Sequence, residues 1–298
     1  MKKSAVNILA RVALVAATMM WGSMFVVSKN AMETVPVFFM TASRYTAAAI
    51  MLSVVFRKRL KGNLVRTLKP GIVIGLLVVL GSLLQMIGLK YSSPGKTAFL
   101  TVVYCVLVPF VHWAVDKKRP SPWHVGAALL CLCGIGLISL GDDFSIGLGD
   151  VLVLGCGLVF AVHIVMLGVY VKDYDPVVLT IFQFLIGGIV SWVLHFFTHS
   201  GPIFFTADTL ANLLYIAIFP TCVAMLFQSF AQQHINPSTV GIILCLESVF
   251  GVAFSVLFYN ERLSARMVAG FAAIFVSIIV SETRLSFLRP RADGGEKP

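Results

Sequence analysis

One acid stands alone in an apolar stretch of this chain. From Asn236 to Tyr259 the sequence is long enough to cross a bilayer as a helix, and Glu247, near its middle, is its one charged residue. A hydrocarbon core about 30 Å thick needs about 20 such residues at 1.5 Å each. An acid at the helix centre costs roughly 2.5 to 3.5 kcal/mol on insertion scales, so it normally faces a protein-lined or wet interior and finds a partner there. Glu247 there could bind a substrate amine or carry a coupling proton; the plainer reading is a carboxylate tied to a neighbouring helix. Arg44 is the opposite charge, about two turns into the second apolar span. It could meet a substrate carboxylate, pair with Glu247, or extend along its stem to the outer headgroups.

Neutral polar residues at similar depth complete the set. Trp21 and Tyr104 lie away from the interfacial belts where such rings usually collect, so the indole N–H and phenol O–H need partners inside the bundle. His163 lies deep in a span and could relay protons, although a lone histidine also serves as hydrogen-bonded core. Gln85, Gln183 and Gln228 could tie helix to helix or contact a ligand. Gly95-Lys96-Thr97 imitates the end of a phosphate-binding loop, but that pattern needs a glycine at position 90, which is a lysine. Gly71 and Gly75 form a small-xxx-small pair that would let two helices approach closely.

What must position these residues follows from composition. Of 298 residues, 58% are apolar and only 12% charged, with a mean hydropathy of +0.93. Soluble domains carry about twice that charged fraction, so the chain is expected to be an all-α integral membrane protein. The formal charge of +10 does not point to nucleic acid, because the basic residues form short clusters between apolar runs. All six cysteines fall inside predicted spans, where a thiol acts as a small hydrophobe, and Cys131 and Cys133, two apart on a helix, point to different faces. No metal or other cofactor is implied.

Ten apolar spans are expected, at about 9–28, 37–56, 71–90, 97–115, 123–140, 150–171, 176–197, 209–232, 236–259 and 265–282, separated by proline, glycine and charged turns. The basic start resembles a signal peptide, but the apolar run continues through Met20-Trp21-Gly22 without a convincing small-residue cleavage site, so it reads as an uncleaved first span. With the N-terminus inside, the outer segments hold Lys29, Lys90, Lys96, Arg262 and Arg266, and Arg44 lies within a span. Removing those six from 23 Lys and Arg leaves 17 on the inner side. Both termini are therefore expected in the cytoplasm. The segment 142–150, with three acids but not the ligand density of a calcium loop, reads as a solvated acidic loop, and Lys96 is expected at the outer surface.

An internal repeat adds mechanism to this layout. G-L-K-Y-S-S-P-G-K-T-A-F-L (88–100) lines up with A-Q-Q-H-I-N-P-S-T-V-G-I-I (231–243), placing Pro94 on Pro237 and Tyr104 on Glu247, while Pro36 and Pro176 precede the second and seventh spans. Identities are sparse. Two halves of five spans, an odd number, must run through the membrane in opposite senses: 1–145 and 146–283, followed by a basic tail at 284–298. Inverted-topology repeats are characteristic of secondary transporters, with the substrate near the midplane where the halves meet.

The chain resembles the ten-span permeases of the EamA type in the drug/metabolite transporter superfamily. The residues carrying the resemblance are W-G-S-M-F (21–25), the segment 88–100 with Val108-Pro109, and L-E-S-V-F-G (246–251) through N-E-R-L (260–263) to Gly270. The family's L-G-E-R motif survives as Tyr259-Asn260-Glu261-Arg262 but reads Val115-Asp116-Lys117-Lys118 in the first half. The resemblance implies a central cavity lined mainly by helices one to four and six to nine and alternating access for small polar solutes, often with export of amino acids or other metabolites; location in the inner membrane and a monomer or homodimer are expected alongside. Coupling to protons and contact with membrane lipid are the accompanying expectations. Hydrophobic cation or drug efflux is the nearest alternative. A membrane-embedded enzyme would need clustered ligands or a nucleophile with its base, where single polar residues are scattered over several helices. A receptor or scaffold is disfavoured by the repeat and the scarcity of extramembrane chain.

Overall fold

The computed structural model describes residues 3–117, 119–139, 146–198, 203–235, 240 and 243–283. Pro237, residues 142–145 of the acidic segment and the 284–298 tail lie outside the described residues. Among the described residues the fold is all helical, and seven stretches are long and apolar enough to cross a membrane: Ala5–Ala31, Val37–Val55, Leu64–Lys90, Pro94–Val115, Leu148–Tyr170, Pro176–Thr198 and Ala207–His234. Three more apolar helices, Pro122–Ile138, Leu246–Phe258 and Ala265–Ser281, are between 10 and 17 residues long.

The elements are α1 (Lys3–Ala31), α2 (Val37–Val55), α3 (Arg57–Leu60), α4 (Leu64–Lys90), α5 (Pro94–Thr101), α6 (Tyr104–Asp116), α7 (Pro122–Ser139), α8 (Leu148–Tyr170), α9 (Pro176–Thr198), α10 (Ala207–Ile216), a π-helical segment (Ala217–Val223), α11 (Ala224–His234), α12 (Leu246–Phe258) and α13 (Ala265–Thr283). Helix starts carry the expected chemistry. Pro94, Pro122 and Pro176 stand at the first helical position, where a missing N–H costs nothing. The Asp175 carboxylate accepts from the Val177 N–H at 2.8 Å, and the Thr206 hydroxyl accepts from the Thr209 N–H at 3.0 Å.

Three expected spans are not continuous α-helices. The fourth turns at Val102-Val103, between α5 and α6. The ninth turns at Cys245, so Glu247 falls in the first turn of α12 rather than mid-helix. In the eighth, Pro220 removes a backbone donor inside Ala217–Val223, and the chain there adopts the wider π turn.

Packing is close where side chains are small. α12 is held between α1 and α5: a Cβ on Gly22 would come within 2.6 Å of Phe250 Cβ and 2.8 Å of the Gly251 nitrogen, and one on Gly251 would collide with Ala98 Cβ. Gly71 and Gly75 make the close approach their spacing suggested, α4 meeting Phe182 and Ile186 of α9. α4 also packs on α8, α1 on α11, α2 on α9, and α7 on α13. Residues such as Leu132, Phe197 and Leu257 remain exposed, and Cys133 is exposed where Cys131 is buried.

Charged groups gather at one end. The Lys29 ammonium donates to the carbonyls of Leu89 at 2.6 Å, Lys90 at 3.0 Å and Ser92 at 2.8 Å, closing the C-terminal end of α4. The Glu261 carboxylate accepts from the Gly95 N–H at 2.9 Å and from the hydroxyls of Ser93 and Ser255, joining the start of α5 to the end of α12. Lys96 pairs with Asp150 at 2.7 Å. One expectation is corrected here. Asp150 is buried at the start of α8 rather than solvated, and Lys96 meets it there, because a carboxylate packed into a helix start needs a counter-charge.

Candidate functional site

Most of the polar residues singled out above converge on one cavity between the helices. Trp21 and Met24 come from α1, Arg44 and Tyr45 from α2, and Ser82 and Gln85 from α4. Thr101 and Tyr104 flank the turn between α5 and α6, and Phe160 and His163 come from α8. Pro220, Thr221, Met225 and Gln228 supply the wall from the π segment and α11, and Glu247 that from α12. Among the described residues, α7 and α13 supply none of the lining, and α9 stands behind it through Gln183.

Glu247 is 5% exposed, and the Tyr104 hydroxyl donates to its Oε2 at 3.0 Å. Gly251, one turn beyond Glu247, lies against Ala98, so the contact that seats α12 on α5 also sets the depth of the acid. Arg44, 3% exposed, neither reaches the surface nor pairs with Glu247; among the described residues the ion pairs within 4 Å are Arg59–Asp175 and Lys96–Asp150. Its guanidinium lies 4.8 Å from the centroid of the Tyr45 ring and donates to Met24 Sδ at 3.2 Å and Tyr45 Oη at 3.5 Å, while Nε has no partner.

The remaining polar groups divide between wall and support. The Trp21 indole donates to the Pro220 carbonyl at 2.8 Å, tying α1 to the π segment. Gln85 donates to Thr101 Oγ1 at 3.3 Å beside the α5–α6 turn. His163 Nε2 and Gln183 Oε1 are 2.6 Å apart and both buried, which holds the ring from behind. The structure places all eight of the expected polar candidates, Gln228 included, in this neighbourhood, and adds Tyr45, Ser82, Thr101 and Thr221, which the sequence did not single out. Tyr45 carried a legible signal, an aromatic next to a membrane-embedded arginine; hydroxyl residues are common in spans and gave none. Pro220 was legible as a proline inside an apolar run.

A cavity walled by aromatic and apolar side chains with a few placed polar groups has the lining of a small-molecule site. Comparisons with known proteins agree in class. The model of the EamA-like transporter family matches twice, over residues 8–140 and 147–283, and the chain belongs to that family. It is 31% identical over 276 residues to an uncharacterized transporter of Archaeoglobus fulgidus, covering 93% of this chain and 86% of that one. It is 26% identical to the uncharacterized transporter YvbV of Bacillus subtilis, over 92% of each chain. A solved structure titled only as the crystal structure of a protein superposes with a TM-score of 0.68 at 17% identity over 93% of this chain, a likeness of fold. The molecule is a multi-pass membrane transporter.

Proposed function

We propose that this transporter is a secondary carrier that moves small polar metabolites, amino acids foremost, out of the cell across the inner membrane by alternating access. No bond in the cargo is made or broken. The observation that carries the reading is the meeting of Glu247 and Arg44 in one cavity without pairing to each other, so that a zwitterion could engage both. Support for rocking between two five-helix halves, 1–145 and 146–283, giving ten crossings, comes from the turns at Val102-Val103 and Cys245, which the 143-residue offset of the repeat brings together. The packing also exchanges in pairs, α4 on α8 against α11 on α1, and α5 and α6 on α8 against α12 on α1. Positive charge between the spans supports cytoplasmic termini, and a C-terminal reporter active outside the cell would remove that topology.

Counterflow in proteoliposomes tests the function. Vesicles loaded with an unlabelled amino-acid pool should accumulate labelled amino acids with wild type and not with Glu247→Gln. Accumulation that persists in Glu247→Gln would reduce the acid to a structural tie. A second reading, efflux of hydrophobic cations, is favoured by the rings of Trp21, Tyr104 and Phe160 and the sulfurs of Met24 and Met225 around a single acid. Counterflow of a labelled organic cation in place of amino acids would establish it.

A further inference from the structure

Alternating access by itself does not fix which chemical group the cargo must possess; the surroundings of Arg44 do. A guanidinium has five N–H donors and a charge that persists in any protein environment. At Arg44 these donors find one thioether, one phenol at the limit of hydrogen bonding and, at Nε, nothing. No carboxylate lies within 4 Å of it among the described residues, and Glu247 across the cavity is engaged by Tyr104. A charge 97% withdrawn from solvent is ordinarily paired as well as hydrogen-bonded.

The arginine is also held in place. Tyr45 supplies the face on which the guanidinium lies, and its hydroxyl is 2.5 Å from Ser82 Oγ. The Tyr45 ring is stacked on Phe184, and a Cβ on Gly187 would come within 2.8 Å of it, so α9 has glycine where the ring must pass. The result is a fixed planar fork on the cavity wall with donors unmet.

We infer that Arg44 is the recognition site for a carboxylate on the cargo. This deepens the carrier reading and rests on it. A carboxylate accepts from a guanidinium through two parallel hydrogen bonds, which an ammonium cannot reproduce. A cargo carrying only positive charge would leave the fork unpaired and add a like charge beside it. Arg44 thereby selects acids and zwitterions over organic cations, and Glu247 is left for the amine.

The test is thermal stabilisation of the purified full chain in detergent by three matched series: the common amino acids, their carboxamides and their decarboxylated amines, with inorganic phosphate as a fourth arm. At least one amino acid should raise the melting temperature of wild type while its amide and amine do not. Its apparent affinity should fall by at least about 30-fold in Arg44→Gln, the loss expected when one partner of a buried charge pair is removed. Arg44→Lys, which keeps the charge without the fork, should recover only a part of it and guards against a Gln variant that fails to fold. Arg57→Gln, removing an exposed charge, should behave as wild type. Amides or amines as effective as the acids, phosphate acting through Arg44 more strongly than any acid, or acid binding that survives Arg44→Gln would each overturn the assignment. So would silence from all four arms, while counterflow of another solute would keep the carrier reading alive.

Discussion

Tyr104 and Glu247 are joined by a 3.0 Å hydrogen bond and stand 143 residues apart, the same offset that aligns Pro94 with Pro237 in the sequence. Each follows closely on a turn in its span, at Val102-Val103 and at Cys245. Residues one such offset apart thus touch each other in the cavity wall, one as donor and the other as acceptor.

That bond sets the first expectation. Tyr104→Phe removes the donor and leaves a buried carboxylate short of a partner, a loss of about 1.5 to 3 kcal/mol in unfolding free energy for a hydrogen bond to a charged group. In a Glu247→Gln background the same change should cost clearly less. Equilibrium unfolding of the four proteins in mixed micelles gives the coupling, and additive effects would separate the two residues.

Glu261 holds a junction through three donors. Glu261→Ala should cost about 2 kcal/mol by leaving the Gly95 N–H and the Ser93 and Ser255 hydroxyls without their acceptor, and Glu261→Gln less, since one oxygen is kept. Unfolding in mixed micelles checks both. A matching rise in proteolysis between α4 and α5 would locate the loosened contact.

The meeting of Gly251 with Ala98 predicts a swap. Gly251→Ala alone overpacks the α5–α12 contact and should cost about 1 to 3 kcal/mol. Adding Ala98→Gly restores the room for one methyl and should return most of the stability. Failure of the second change to rescue the first would mean that the helices yield by another route.

Lys96 and Asp150 form a pair whose acid is buried. Removing either partner, by Lys96→Ala or Asp150→Ala, leaves the other charge uncompensated and should cost about 3 to 5 kcal/mol, whereas removing both together should cost less than either alone. Melting temperatures of the three variants decide this.

The sequence made the membrane class, most helix positions and the charged and larger polar residues of the cavity other than Tyr45 legible, because each rests on one strong rule: long apolar runs cross bilayers, and polar groups inside them need partners. What stayed hidden depended on pairing across the chain. Asp150 reads as part of a solvated acidic loop because it is one of three acids in 142–150, and only the arrival of Lys96 from 54 positions away makes its burial tolerable. Arg44 is ambiguous in the same way, since its stem is long enough either to reach headgroups or to stay inside, and the choice is made by the ring of Tyr45 and the space at Gly187. The continuity expected through Val102 and Cys245 failed for another reason. No proline or glycine marks either turn, so local propensity gave no warning.

The indole of Trp21 has a practical consequence. Its ring forms part of the cavity wall while its N–H is fixed on the Pro220 carbonyl. Of the other three tryptophans, Trp113 and Trp123 are exposed, and Trp192 is bonded to Thr46 away from the cavity. With those three replaced by phenylalanine, the tryptophan fluorescence of the protein reports on a single ring in the cavity wall, and any filling of the cavity can be followed in real time without a label.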